Sequence, residues 1–227
     1  MKNVMLALAL FAAIPLFAQN QKPSVSVTGE GTVQVIPDEV VIKSRIEHEG
    51  EDAAQVKKQN DQVVNQIIKY LKSQGVAEKD IETDYMNLNK RYKNYEQGTF
   101  TYVANQAISI RLHDLDSYEQ IMKGLLENGL NRIDGIQFES SEKEKFEAEA
   151  RKMAVLDAKR KASELLKPLG HEVGQPISLS ENQSSPVFPM YRMNDAVEMS
   201  AAKSDGQTIA PGELEIKITV NATFEIR

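Results

Sequence analysis

The sequence predicts an α+β fold, and three observations lead there. Between Asp38 and Glu139 the hydropathy pattern runs β-α-β-β-α-β, the split βαβ order. Segments that alternate apolar and polar residues stand beside segments with an apolar residue every three or four positions, so both the strand and the helix periods are present. The segment Glu213–Arg227 alternates without a break, with Leu214, Ile216, Ile218, Val220, Ala222, Phe224 and Ile226 on one face and polar residues on the other. A strand of that kind puts one face on a core and the other in water.

The elements follow in order. Ser24–Ile36 alternates on either side of Gly29-Glu30-Gly31 and reads as a strand with a bend or bulge at the glycines. After Pro37-Asp38, the residues Val40, Ile42, Ser44 and Ile46 share one face of a half-buried strand. The period then changes. Over Glu51–Gln74, Val56, Val63, Val64, Ile67, Ile68 and Leu71 form one helical stripe, and Gly75 sits where a helix terminates. Ile81–Tyr95 and Phe100–His113 read as long strands joined by a turn near Glu96-Gln97-Gly98. Asp114–Asn128 is helical, closed by Gly129, and Ile133, Ile136 and Phe138 mark a short strand. Ser141-Glu142-Lys143-Glu144 has the form of a capping box. It opens a helix of about 26 residues whose alanines at 148, 150, 154, 158 and 162 permit close packing, ended by Pro168 and Gly170. Glu172–Ser180 is a further strand. Residues 181–207 are rich in Ser, Pro, Met and Asn without a period and read as a flexible loop. The expected architecture is a split β-α-β-β-α-β core with an additional long helix and flanking N- and C-terminal strands. No linker divides the chain after residue 18, so one domain and two lobes are both compatible with the pattern.

Residues 1–18 form an address. Lys2 precedes an apolar run from Val4 to Phe17, Ala18 ends it, and Gln19, Asn20 and Gln21 follow. That is the pattern of a cleaved secretory signal peptide. An uncleaved anchor is the alternative, but the run falls short of the ~20 residues a membrane span needs. The expectation is a periplasmic or secreted chain of residues 19–227 with no membrane span.

Composition excludes several function classes. The 227 residues include no cysteine, so disulfides, thiolate metal sites and cysteine nucleophiles are absent. The formal charge of −6 argues against a nucleic-acid partner, whose binding depends on phosphate neutralisation.

The remaining motifs have plainer readings beside the chemical ones. Gly29-Glu30-Gly31 lacks a third glycine and a Lys-Ser/Thr pair and is followed by strand, so it is not a phosphate loop. His48, His113 and His171 lie far apart without metal-ligand spacing and read as turn histidines. Asn89–Tyr95 mixes bases with aromatics. Tyr85, Tyr92, Tyr95 and Tyr102 suit cross-strand pairs on a hairpin used for packing or subunit contact, with glycan contact as the alternative. Met190, Met193 and Met199 could bind Cu(I) or scavenge oxidant, but a loop that happens to hold methionines is the plainer account. The acidic run Glu139–Glu149 is explained by the dipole at a helix start. No residue is assigned a catalytic, cofactor-binding or metal-ligating role, and no cofactor is expected.

The chain resembles the SIMPL-domain family of YggE-like periplasmic proteins, a family of unknown function. The segments that carry this are Val25-Ser26-Val27-Thr28-Gly29-Glu30-Gly31 with Pro37-Asp38, Gly75-Val76 through Asp80-Ile81-Glu82-Thr83, and Tyr102-x-Ala104. Further along come Gly129-x-Asn131-x-Ile133 through Ile136-x-Phe138, then Ala154, Ala158-Lys159, Lys161-Ala162 and Leu169-Gly170, and last Ala210-Pro211-Gly212. The resemblance implies an exported protein, in some members associated with the outer membrane, a homo-oligomeric habit that in some members builds rings or channels, and a link to oxidative-stress defence. It implies no catalytic residues. The expected function is a non-enzymatic oligomeric scaffold or interaction module of the envelope with an unknown protein partner. The alternative is a ligand-binding or oxidant- and copper-buffering stress protein that uses the methionine-containing loop. The hairpin and the last strand are the surfaces expected to meet a second subunit.

Overall fold

The computed structural model describes residues 22–94, 96–182 and 209–227. The signal peptide predicted for residues 1–18, Tyr95 and the methionines of the 181–207 segment lie outside them. Ten elements follow in order: β1 (Ser24–Val35), β2 (Glu39–Gly50), α1 (Ala53–Ser73), β3 (Ile81–Asn94), β4 (Thr99–Leu112), α2 (Tyr118–Glu127), β5 (Arg132–Glu139), α3 (Lys143–Leu166), β6 (Val173–Asn182) and β7 (Leu214–Ile226). They make two antiparallel sheets, of order β3-β4-β2-β5 and β1-β7-β6. The fold is α+β, as the periodicities predict.

The first sheet is the product of the β-α-β-β-α-β run. The outer strands of each split βαβ unit flank a strand of the other, which gives the order β3-β4-β2-β5. Helices α1 and α2 cover one face. Val40, Ile42, Ile46, Ile108 and Ile110 from the strands meet Ile67 and Leu71 of α1 and Ile121 and Leu125 of α2 in one cluster. Each such side chain, fully buried, contributes about 1.5–3 kcal/mol. Local signals set the helix ends. Asp52 Oδ1 accepts from the Gln55 N–H at 2.7 Å at the start of α1. At its end Gly75, φ 86°, closes a Schellman motif in which Val76 N–H donates to Leu71 O and Gly75 N–H to Lys72 O. Leu130 and Gly129 repeat that pair of bonds after α2, to Leu125 O and Leu126 O. Asn60 lies on the inner face of α1, fully buried, where its Nδ2 donates to Ile46 O at 2.9 Å.

The second sheet is covered by α3. The helix turns Ala150, Ala154, Ala158 and Ala162 inward against Ile216, Ile218, Val220, Ala222 and Phe224 of β7, and Leu166 at its end is buried as well. Against β1 the approach is closer still. A Cβ on Gly29 would fall 2.1 Å from Ala154 O, and one on Gly31 would fall 2.0 Å from Ala150 O. The expected bulge at these glycines is not there. The β1–β7 register runs unbroken from Ser24↔Glu225 to Val35↔Leu214. The glycines are present because the helix backbone occupies the space a side chain would need. The contact is pinned by Asp157, which accepts from the Glu30 N–H at 3.0 Å, and by Lys161, whose Nζ donates to Thr28 O at 3.0 Å.

Three local expectations change. The capping box at Ser141 does not form. The residue before α3 is Glu142, without a side-chain cap bond. Ser141 instead gives both its donors to Asp38, backbone N–H at 2.8 Å and Oγ–H at 2.5 Å, because a carboxylate at the start of β2 outcompetes a helix terminus for them. The α-helix is 24 residues long, followed by the 3₁₀ turn Lys167–Leu169 that accommodates Pro168. Glu181 and Asn182, expected in the loop, extend β6 and pair with Val220 and Thr219 of β7.

Candidate functional site

The face of the four-stranded sheet turned away from α1 and α2 carries charge. The strand registers bring side chains into transverse rungs. One rung reads Gly135–Lys43–Ser109–Glu82 across β5, β2, β4 and β3. Its neighbour reads Gln137–Val41–Arg111. Ser109 is small and Arg111 and Gln137 are long, so the surface dips over β4 between Lys43 and Glu82. The resulting depression has a volume of about 260 Å³ and is lined by Lys43, Glu82, Ser109, Gln137 and Val41, with Lys79 at its edge.

One wall is locked by a charged clamp. His113, just past β4, stands between two carboxylates, with Nδ1 2.5 Å from Glu39 Oε1 and Nε2 3.1 Å from Asp80 Oδ2. Glu39 begins β2, and Asp80 ends the 3₁₀ turn Glu78–Asp80 that leads into β3. Arg111 joins them, donating to Glu39 Oε2 at 2.9 Å and to Glu139 Oε2 at 2.7 Å. Hydrogen bonds first to Glu39 and then to Asp80 raise the His113 pKa above its ordinary value. The Glu139 carboxylate, followed by Glu39, does the same for Arg111. The clamp ties the beginning of β2, the end of β4 and the turn before β3.

Further along the same face, cations and anions continue to pair. Arg45 makes a two-bonded contact with Asp134, at 2.5 and 3.0 Å. Arg91 reaches Glu49 at 2.9 Å and Glu47 at 3.1 Å, and Arg132 reaches Glu47 at 3.3 Å. Among the described residues Lys43, Lys79 and Glu82 stand apart from this pattern, without an ion pair within 4.0 Å.

The β3–β4 hairpin reaches past the last residue that β2 pairs with β4, Gly50↔Tyr102. On its helix-side face Tyr92 and Phe100 pack edge to face with ring centroids 5.9 Å apart, and Phe100 and Tyr102 do so at 5.5 Å. Lys90 Nζ lies 4.4 Å above the Phe100 ring. The expected cross-strand aromatic pairing holds for Tyr92, opposite Phe100, whereas Tyr102 packs on Phe100 of its own strand and faces Lys90 across the hairpin. Tyr85 pairs with Ala107 and lies on the opposite, charged face beside Arg45.

The other sequence candidates are placed as follows. Gly29-Glu30-Gly31 is a packing contact. His48 lies 3.5 Å from the Asn60 amide, and His171 follows the end of α3 in an exposed turn. His113 is not the free turn histidine its position predicts, because β2 and the turn before β3 each deliver a carboxylate to it. Of the acidic run, Glu139 belongs to the clamp, while Glu142 and Glu147 pair along α3 with Lys145 and Lys143. The last strand, expected to meet a second subunit, is the centre of its sheet, with both edges hydrogen-bonded by β1 and β6. Among the described residues no group of three or more His, Asp or Glu side chains is arranged to hold a metal, and no helix is long and apolar enough to cross a membrane.

The clamp and the rungs are what sequence reasoning missed. Glu39 and His113 are separated by 74 residues, and only the strand register joins them.

The SIMPL profile, described as a protein of unknown function (DUF541), matches residues 25–224. The chain belongs to the SIMPL family. Among its relatives is the 26 kDa periplasmic immunogenic protein of Brucella melitensis, 25% identical over 228 residues, covering 95% of this chain and 91% of the relative. YggE of Escherichia coli K12 is 28% identical over 211 residues, covering 90% and 83%. YggE of Edwardsiella ictaluri is 27% identical over 237 residues, covering 100% and 99%. The match to the SIMPL family takes in both sheets and all three helices, so both cores lie within the part that is similar.

Proposed function

We propose that this SIMPL protein is an exported, non-enzymatic interaction module of the cell envelope that works as a homo-oligomeric scaffold. The observation that carries this reading is the β3–β4 hairpin. It extends beyond β2, and Leu88, Tyr92 and Phe100 stay substantially exposed on it. Aromatic side chains of this kind are favoured at the cores of protein interfaces, where they bury large area at low entropic cost. The periplasmic name of the Brucella relative supports an envelope location, and the leader-like residues 1–18 agree with export. A role in oxidative-stress defence, or association with the outer membrane, would be a consequence of what the scaffold holds.

The test is light scattering of the purified protein across a concentration series, beside the variant Tyr92→Ser/Phe100→Ser. The expected result is a discrete assembly larger than one chain that the variant dissociates while its circular dichroism is unchanged. A wild-type monomer at every concentration would overturn the reading.

A further inference from the structure

We propose that the depression on the uncovered face of the four-stranded sheet is a binding site for a small zwitterion of amino-acid size. Its carboxylate would lie against Lys43 and Lys79 and its ammonium against Glu82.

The shape comes first. The rung Lys43–Ser109–Glu82 is low at Ser109, and the next rung rises as Gln137 and Arg111. The volume of about 260 Å³ lies below the ~300–1,000 Å³ of drug-sized sites, which suits a ligand of amino-acid size. The charges come second. Asp80 pairs with His113 and Glu139 with Arg111, and Glu39 bonds both of those cations, so the clamp leaves no cation open to a carboxylate and its surplus negative charge favours an ammonium on that side. That leaves Lys43, Lys79 and Glu82, the three lining charges without an ion pair. A simple anion would satisfy the two lysines and face Glu82 across the depression. A zwitterion satisfies all three. Ser109 Oγ, whose proton goes to Asp84, remains an acceptor for the ammonium. The polar walls bury little apolar surface, so recognition rests on charge and the affinity is modest. This site is on the opposite face of the sheet from the Tyr92–Phe100–Tyr102 cluster. The two proposals therefore stand or fall separately.

The experiment is an amide-resolved NMR titration of the purified protein with glycine and L-alanine, beside acetate and methylammonium as half-ligands. Glycine and alanine are expected to move the amides of Lys43, Glu82, Ser109 and Gly135 saturably, at concentrations about tenfold below those acetate needs. Lys43→Ala is expected to abolish the effect, and Glu82→Gln to bring glycine down to the level of acetate. A Cβ at Gly135 would enter open space, so Gly135→Val fills the neighbourhood of the site without strain and is expected to weaken binding at unchanged thermal stability. Absence of saturable shifts, equal response to acetate and glycine, or binding that Gly135→Val and Lys43→Ala both leave intact would each overturn the proposal.

Discussion

The two sheets of this protein each carry helices on one face, and they achieve it in opposite ways. The four-stranded sheet uses bulk, with Ile42, Ile46, Ile108 and Ile110 interlocked with Ile67, Leu71 and Leu125. The three-stranded sheet uses closeness, with alanines of α3 on glycines of β1 and backbone nearly touching backbone. Bulky cores contain many independent contacts and yield by degrees. A small-residue contact has no flexible atoms to give way. The difference sets where the chain tolerates change.

The largest effect is expected at the closest approach. Gly31→Val would put a side chain 2.0 Å from the carbonyl oxygen of Ala150, and neither backbone can retreat without parting the helix from the sheet. The cost should exceed about 3 kcal/mol, at or above the top of the usual range for overpacking. Urea denaturation followed by circular dichroism measures it. A loss under about 1 kcal/mol would show that α3 is free to slide. In the bulky core, Ile67→Ala or Leu125→Ala should cost about 2–5 kcal/mol each and leave a folded protein with a lowered midpoint. If these variants proved the more damaging, the contrast between the two packings would be reversed.

The Asn60 amide tests the bulky core from within. It is fully buried, and its Nδ2 serves the Ile46 carbonyl. Asn60→Ala strands that acceptor and should cost about 1–3 kcal/mol. The same denaturation series reads it.

Asn60 also marks the limit of what the sequence reveals. Its position on the stripe of α1 is occupied by a polar residue, so periodicity alone reads it as a gap. The stripe itself, the alternation of β7 and the β-α-β-β-α-β order were legible, because each is a local repeat that one element's burial imposes. The alanines of α3 announced close packing. Their partners did not, since Gly29 and Gly31 read equally well as a bend when the helix that lies on them is more than a hundred residues away. The candidate site was illegible for the same reason. Gly135, Lys43, Ser109 and Glu82 become one rung only through three registers, and β5 reaches its register through an irregularity opposite Lys43 and Ser44. That irregularity explains the three-residue step from Ile133 to Ile136, which a regular strand would put on opposite faces.

The smallest effect is expected at the His113 clamp, and its sign separates it from everything above. Glu39 and Asp80 face the ring from β2 and from the turn before β3, and Arg111, Asp38 and Glu139 stand close by. The carboxylates favour the protonated ring and raise its pKa above the ordinary value in the folded chain. A group bound more tightly to its proton when folded stabilises the fold fully below its unfolded pKa, near 6.5, and loses that contribution as pH rises through the higher folded value. The protein should therefore lose a little stability on the alkaline side of neutrality. Half the His113 side chain meets solvent, so the loss should be under about 1 kcal/mol and shrink in salt. His113→Gln keeps a hydrogen bond but cannot titrate. Its stability should be flat over that pH interval, while Gly135→Val, remote from the clamp's hydrogen bonds, should keep the slope. Wild-type stability that climbs with pH there would mean that the folded ring is neutral, donating to only one of Glu39 and Asp80, and that Arg111 alone carries the positive charge of the clamp.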